Sequence, residues 1–142
     1  MKKIFGIVLV FSMVFLTACS AGNDETNNQS QQSGQQTSPQ GVYHKIGSEE
    51  AKRMMDDGNV VIVDVRTAEE YAQKRIPNAV LVPNESITKS PAELPDKDAT
   101  LLIYCRSGNR SKQAADKLLK LGYTNVYDFG GINQWNYETV SG

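Results

Sequence analysis

A cysteine set among cations in a short polar stretch is the arrangement best suited to chemistry in this 142-residue chain. Cys105, Arg106, Ser107, Gly108, Asn109 and Arg110 stand between an apolar run, Leu101 to Tyr104, and a segment of helical spacing from Ser111 to Leu121. The thiolate is the nucleophilic form of cysteine. Cations and a helix N-terminus lower its pKa from about 8.5 to roughly 3.5 to 7.5. These residue types predict a cradle for an anion built around an ionisable sulfur. Gly108 permits a positive φ and lets backbone amides come close to a ligand. A buried structural cysteine is the bland alternative, but a core cysteine gains nothing from Arg106 beside it or from Arg110.

The flanking elements must hold that cradle in place. Thr100 to Tyr104 reads as a short strand buried on both faces, and Ala114, Ala115, Leu118, Leu119 and Leu121 give the segment after it an apolar helical stripe. Cys105 then falls at the carboxyl end of a strand and faces a helix N-terminus, which is where open α/β sheets bind ligands. Upstream, Val42 to Ile46 reads as a first strand. A helix capped by Ser48 runs through Met55 and is closed by Gly58, and Val60 to Val65 reads as a central strand. Thr67 and Glu70 fit a capping box, and Ala79 to Val82 is another brief strand. Asn84 to Asp98 reads as irregular, with room for one helical turn. After the Ser111 helix, Gly122 is placed as a C-cap, Val126 to Phe129 as the last strand, and Ile132 to Tyr137 as a closing helix. Strands alternating with helices imply an α/β fold with a mainly parallel sheet covered on both faces.

The N-terminal part reads differently. Lys2 and Lys3 precede a nearly continuous apolar run from Ile4 to Leu16, closed by Leu16, Thr17, Ala18 and Cys19. This is the layout of a secretory signal, too short for a comfortable membrane span. The stretch before Cys19 resembles a bacterial lipoprotein signal. That resemblance implies a signal peptide over 1–18, lipidation at Cys19, and anchoring to the bacterial cell membrane with the domain on the extracytoplasmic side. Residues 19–41 carry Asn, Gln, Ser, Gly and Thr with almost no large apolar residue and read as a disordered tether, reaching about 25 Å on average. The folded domain is assigned to 42–142. Lipidation of one of the two cysteines leaves Cys105 alone, and a solitary cysteine in an exported protein points to a reactive thiol. Without Lys2 and Lys3 the formal charge becomes −3, so nucleic acid is not an expected partner.

Four stretches in register then carry a family resemblance: Asp64, Val65 and Arg66 with Glu70 and Tyr71; Ile76 and Pro77 with Ala79; Cys105 to Arg110; and Gly130, Gly131 and Ile132 with Trp135. Over about 42–140 the chain resembles a single-domain rhodanese, a sulfurtransferase. The resemblance implies a rhodanese-like, mainly parallel five-stranded sheet with helices on both faces. Where rhodaneses commonly have Gly-His before Ile-Pro and Gly after it, this chain has Lys74, Arg75 and Asn78, which puts the local turn in question.

By that resemblance the Cys105 thiolate attacks the terminal sulfur of thiosulfate or a related small sulfur anion, and a thiol or cyanide acceptor collects the sulfur from the persulfide. Arg106, Ser107, Gly108, Asn109, Arg110 and Ser111 form the substrate loop, with Arg106 and Arg110 balancing oxyanion charge. Asp64, Arg66 and Trp135 are supports, the first two read as an internal ion pair and Trp135 as core or pocket wall. No cofactor or metal is called for, and His44, on the first strand, is given no catalytic part. Two other classes compete: an oxyanion enzyme such as a phosphatase or arsenate reductase, and a non-catalytic persulfide carrier or partner-binding module. The phosphatase signature separates cysteine from arginine by one residue more than this loop does, and phosphatases on this fold have a longer loop.

Overall fold

The computed structural model describes residues 40–142. The signal peptide, Cys19 and nearly all of the tether read from the sequence lie outside the described residues. Five strands, β1 (Val42–Lys45), β2 (Val60–Asp64), β3 (Val80–Leu81), β4 (Thr100–Cys105) and β5 (Asn125–Gly131), form one sheet in the order β1-β5-β4-β2-β3. Every pairing in it is parallel. Three helices cover the faces: α1 (Ser48–Asp57), α2 (Ala68–Gln73) and α3 (Asn109–Lys120). The irregular stretch holds one 3₁₀ turn, Asn84–Ser86.

The two-residue pleat of β4 decides what its loop presents. Leu101, Ile103 and Cys105 face one way, where they pack with Val63, Val65, Ala114, Ala115 and Leu118. Leu102 and Tyr104 face the other way, toward Ala51, Ile76, Phe129 and Trp135. Each fully buried aliphatic side chain contributes roughly 1.5 to 3 kcal/mol, so β4 is anchored from both sides. The cysteine at its end is therefore directed under α3.

Helix α3 starts two residues before the Ser111 expected from spacing. Gly108 is its N-cap at φ 105°, and Lys112 N–H makes the first helical bond to the Gly108 carbonyl at 3.3 Å. At the other end Gly122, at φ 91°, reverses the chain and lets Tyr123 N–H reach the Leu118 carbonyl at 3.1 Å. Two other ends differ from the sequence reading. Ser48 is the first residue of α1, not its cap; Gly47 is the N-cap and makes no side-chain bond. The closing helix over Ile132 to Tyr137 is only a 3₁₀ turn, Ile132–Gln134. The chain then extends at Trp135, whose ring packs 5.6 Å from Phe129 and 4.9 Å from Tyr137. Val140 goes on to pair antiparallel with Arg75. Burial of one large indole and this strand-like pairing outweigh a short helical pattern.

Asn78 answers the question left by the missing glycine. It takes φ 62°, and Ala79 N–H closes the turn on the Ile76 carbonyl at 3.2 Å. Asparagine tolerates this left-handed conformation better than most residues, so the turn survives the substitution.

Candidate active site

The Cys105 sulfur lies at the floor of the loop, with the residue 1% exposed. Gly108 N–H donates to Sγ at 3.1 Å, and the Ser111 hydroxyl lies 3.8 Å from it. Burial pushes the thiol pKa up, but the backbone N–H groups of Ser111, Gly108 and Ser107 and the Ser111 hydroxyl together outweigh it, so the pKa falls below 9.0. Ser111 is itself fixed: its buried hydroxyl is within reach of the Gly108 carbonyl at 3.0 Å and of the Gly130 carbonyl at 3.3 Å. The sulfur thus faces a ring of donors whose positions are set by the start of α3.

The two loop arginines point to different tasks. Arg110 directs both arms of its guanidinium at Glu70, Nη1 to Oε2 at 2.7 Å and Nη2 to Oε1 at 2.8 Å. That pairing holds the Glu70 carboxyl down at about 2. Glu70 also accepts from Thr67 N–H at 3.1 Å, so the capping box of α2 and the reactive loop share one carboxylate. The expectation that Arg110 serves a substrate oxyanion meets partial competition, because Glu70 takes the Nη1/Nη2 edge of its guanidinium and leaves Nε–H and the remaining Nη–H donors for another anion. Arg106 is exposed and lines an open groove of about 380 Å³ together with Arg66, Glu70, Lys74 and Asn133. Ser107 and Asn109 are exposed on the loop, and Asn109 accepts only from Gln113 at 3.5 Å.

Asp64 and Arg66 form a buried ion pair. Arg66 Nε donates to Oδ1 at 2.9 Å and Nη2 to Oδ2 at 2.6 Å, with the two side chains 5% and 0% exposed. Arg66 Nη2 also reaches the Lys74 carbonyl at 2.5 Å, which ties the β2 end to the turn before Ile76. Trp135 is buried on the opposite face, its Nε1 donating to the Glu138 carbonyl at 3.0 Å, and it lines a separate cavity of about 220 Å³ with Ile62 and Tyr137. His44 stacks on Tyr127 at the sheet edge, away from the loop.

Sequence reasoning missed three contributors. In the sequence Glu70 reads as a helix cap and a family residue, but its partner lies 40 positions away. Gly131 has no room for a side chain: a Cβ there would lie 2.3 Å from the Arg106 carbonyl oxygen. Strand β5 can therefore abut the reactive loop only with glycine at that position. Asn133 closes the same side, its N–H donating to the Arg106 carbonyl at 3.3 Å. The Gly130-Gly131 pair was the only signal for this close approach.

A buried thiol of lowered pKa inside a ring of amides can act as a nucleophile toward a slim terminal atom and can hold the resulting anion. The comparisons agree in kind. A sequence model of the rhodanese-like domain matches residues 48–138. A sulfurtransferase of Allochromatium vinosum is 43% identical over 96 residues, covering 66% of this chain and 89% of that protein. The thiosulfate sulfurtransferase GlpE of Pseudomonas savastanoi pv. phaseolicola is 35% identical over 105 residues, covering 70% and 97%. Among solved structures, a rhodanese with anions from E. coli superposes with a TM-score of 0.53 at 32% identity, covering 58% of this chain and 98% of that one.

Proposed function

The chain belongs to the rhodanese-like domain family, and on that premise we propose that it is a sulfurtransferase moving a sulfane sulfur from thiosulfate or a related donor, through a Cys105 persulfide, to a thiophilic acceptor. The observation that carries this reading is the Gly108 N–H held 3.1 Å from a buried sulfur whose pKa is lowered by the loop amides. In the first half-reaction the Cys105 thiolate attacks the terminal sulfur of thiosulfate. The S–S bond of the donor breaks, and its electron pair leaves with sulfite. The amides of Ser107, Gly108 and Ser111 then stabilise the persulfide anion. In the second half-reaction the acceptor, cyanide or a thiolate, attacks the outer sulfur and Cys105 departs as thiolate. No net oxidation occurs, and ping-pong kinetics follow.

Arg106, exposed at the groove, is the cation most available to the sulfonate oxygens of the donor, since one edge of Arg110 is engaged by Glu70. Burial of the sulfur favours a donor that reaches in with one atom over a tetrahedral phosphate. Incubation with thiosulfate should add one sulfur to Cys105 by mass spectrometry and release sulfite, with thiocyanate formed on adding cyanide. Faster hydrolysis of an aryl phosphate than sulfur transfer from thiosulfate would overturn the proposal, and loading without any discharge would favour a persulfide carrier. For the N-terminal part the proposal is a lipid anchor at Cys19, placing the domain on the extracytoplasmic side of a bacterial cell membrane. It is supported by the Lys2-Lys3, apolar and Leu16-to-Cys19 pattern. Cys19→Ala should abolish partitioning into detergent; unchanged partitioning would refute it.

A further inference from the structure

We propose that the groove beside the reactive loop is an acceptor site selective for small thiols bearing two negative charges, and that Lys74 and Arg106 set this preference. The inference rests on the sulfur-transfer reading of Cys105 and adds the class of acceptor. Charges within the groove lead to it. Arg66 is neutralised by Asp64 at 2.6 Å, and the Glu70 carboxylate is taken up by Arg110 at 2.7 Å. Lys74 and Arg106, both exposed, have no carboxylate within salt-bridge distance among the described residues. The wall is therefore left with two uncompensated positive charges, and Gln73 and Asn133 add amides beside them.

Size makes the groove roomy enough for an acceptor larger than the donor that Arg106 meets in the first half-reaction. At about 380 Å³ and open to solvent, the groove is roomier than a five-atom thiosulfate requires. The groove also borders the loop that carries the sulfur, with Arg106, Ile132 and Asn133 in its lining. Arg106 follows Cys105 directly, its carbonyl is held by Asn133 N–H at 3.3 Å, and Cys105 pairs in register with Gly131. On the far side the Lys74 carbonyl is held by Arg66 Nη2 at 2.5 Å, so its backbone is fixed by the buried pair while its side chain is free to meet a ligand. An acceptor bound there presents its thiolate to the outer sulfur of the persulfide. The new S–S bond forms as the Cys105 S–S bond breaks, and Cys105 leaves with the electron pair as thiolate.

The experiment compares persulfide discharge by mercaptosuccinate, with two carboxylates, against 2-mercaptoethanol, which is neutral, and cysteamine, which is cationic. Within each variant the ratio of second-order rate constants cancels differences in loading, and between variants it cancels the intrinsic reactivity of each thiol. Relative to wild type, Lys74→Glu should lower the mercaptosuccinate to 2-mercaptoethanol ratio about tenfold and raise that for cysteamine, while Lys74→Gln should lower the first about threefold. Added salt should shrink the wild-type preference. Ratios unchanged in both variants would overturn the proposal. Succinate, which carries no sulfur, tests the groove apart from the chemistry. It should shift the amide resonances of Lys74, Arg106 and Asn133 and bind several-fold more weakly to Lys74→Glu. Equal binding to both proteins, or shifts confined elsewhere, would refute the site, whereas failure of Cys105 to load would refute sulfur transfer and leave the succinate result to decide the groove.

Discussion

Strands β2 and β4 run side by side and end at the same edge of the sheet, with Asp64 opposite Tyr104, yet their two ends treat charge in opposite ways. The β2 end is closed. Asp64 supplies an internal anion, Arg66 answers it with Nε and Nη2, and Arg66 N–H adds a bond to Oδ1 at 3.0 Å, all of it buried. The β4 end is open in the electrostatic sense. Its amides converge on Cys105, and the nearby carboxylate, Glu70, is already held by Arg110. Both ends offer donors to an anion, but only the first brings a permanent anion of its own. The second is left to a thiolate, and then to a persulfide. An ion pair that is complete gives rigidity, whereas a donor set without a resident carboxylate gives reactivity.

Removing the open end's nucleophilic sulfur should have the largest effect. Cys105→Ser should reduce sulfur transfer by roughly a thousandfold or more, because a hydroxyl is neither ionised near neutral pH nor able to form the persulfide. Labelled thiosulfate should leave no sulfur on that variant, and loading equal to wild type would place the nucleophile elsewhere. At the closed end, Asp64→Asn leaves the buried Arg66 charge uncompensated and should cost about 3 to 5 kcal/mol of stability in urea unfolding. A loss below about 1 kcal/mol would mean that the two ends differ less than their geometry indicates.

Smaller effects sharpen the contrast. Arg110→Lys keeps the charge but loses the fork that grips both oxygens of Glu70. Sulfur loading of Cys105 should remain stoichiometric, while its second-order rate constant falls about tenfold, or about 1.4 kcal/mol. The smallest effect lies in pH. Folding lowers the Glu70 pKa from 4.5 to about 2, so its stabilisation is fully present above about 4.5 and is lost as the pH falls toward 2. Glu70 and Arg110 are about a quarter exposed, and solvent screening limits this contribution to about 1 kcal/mol. Thermal unfolding of Glu70→Gln should therefore show a shallower loss of stability across that window than wild type, and identical slopes would remove Glu70 as the source.

Much of this was legible in the chain because it is local. The apolar run before Cys105, the stripe Ala114, Ala115 and Leu118, and the Thr67–Glu70 capping box each depend on residues within a turn or a strand of one another, and each appears in the fold as read. The parallel sheet follows from their alternation, and the position of Cys105 at a strand end facing a helix follows from their order. Tertiary structure decided what depends on residues far apart in the chain. Only packing brings Glu70 across 40 positions to occupy the fork of Arg110, and only it seats Trp135 in the core at the expense of the helix expected from Ile132 to Tyr137. It also leaves no space at Gly131 and gathers Lys74 and Arg106 around one groove. Spacing along the chain sets what each residue can do, but whether a charge is satisfied or left available is settled by neighbours that only the folded sheet brings together.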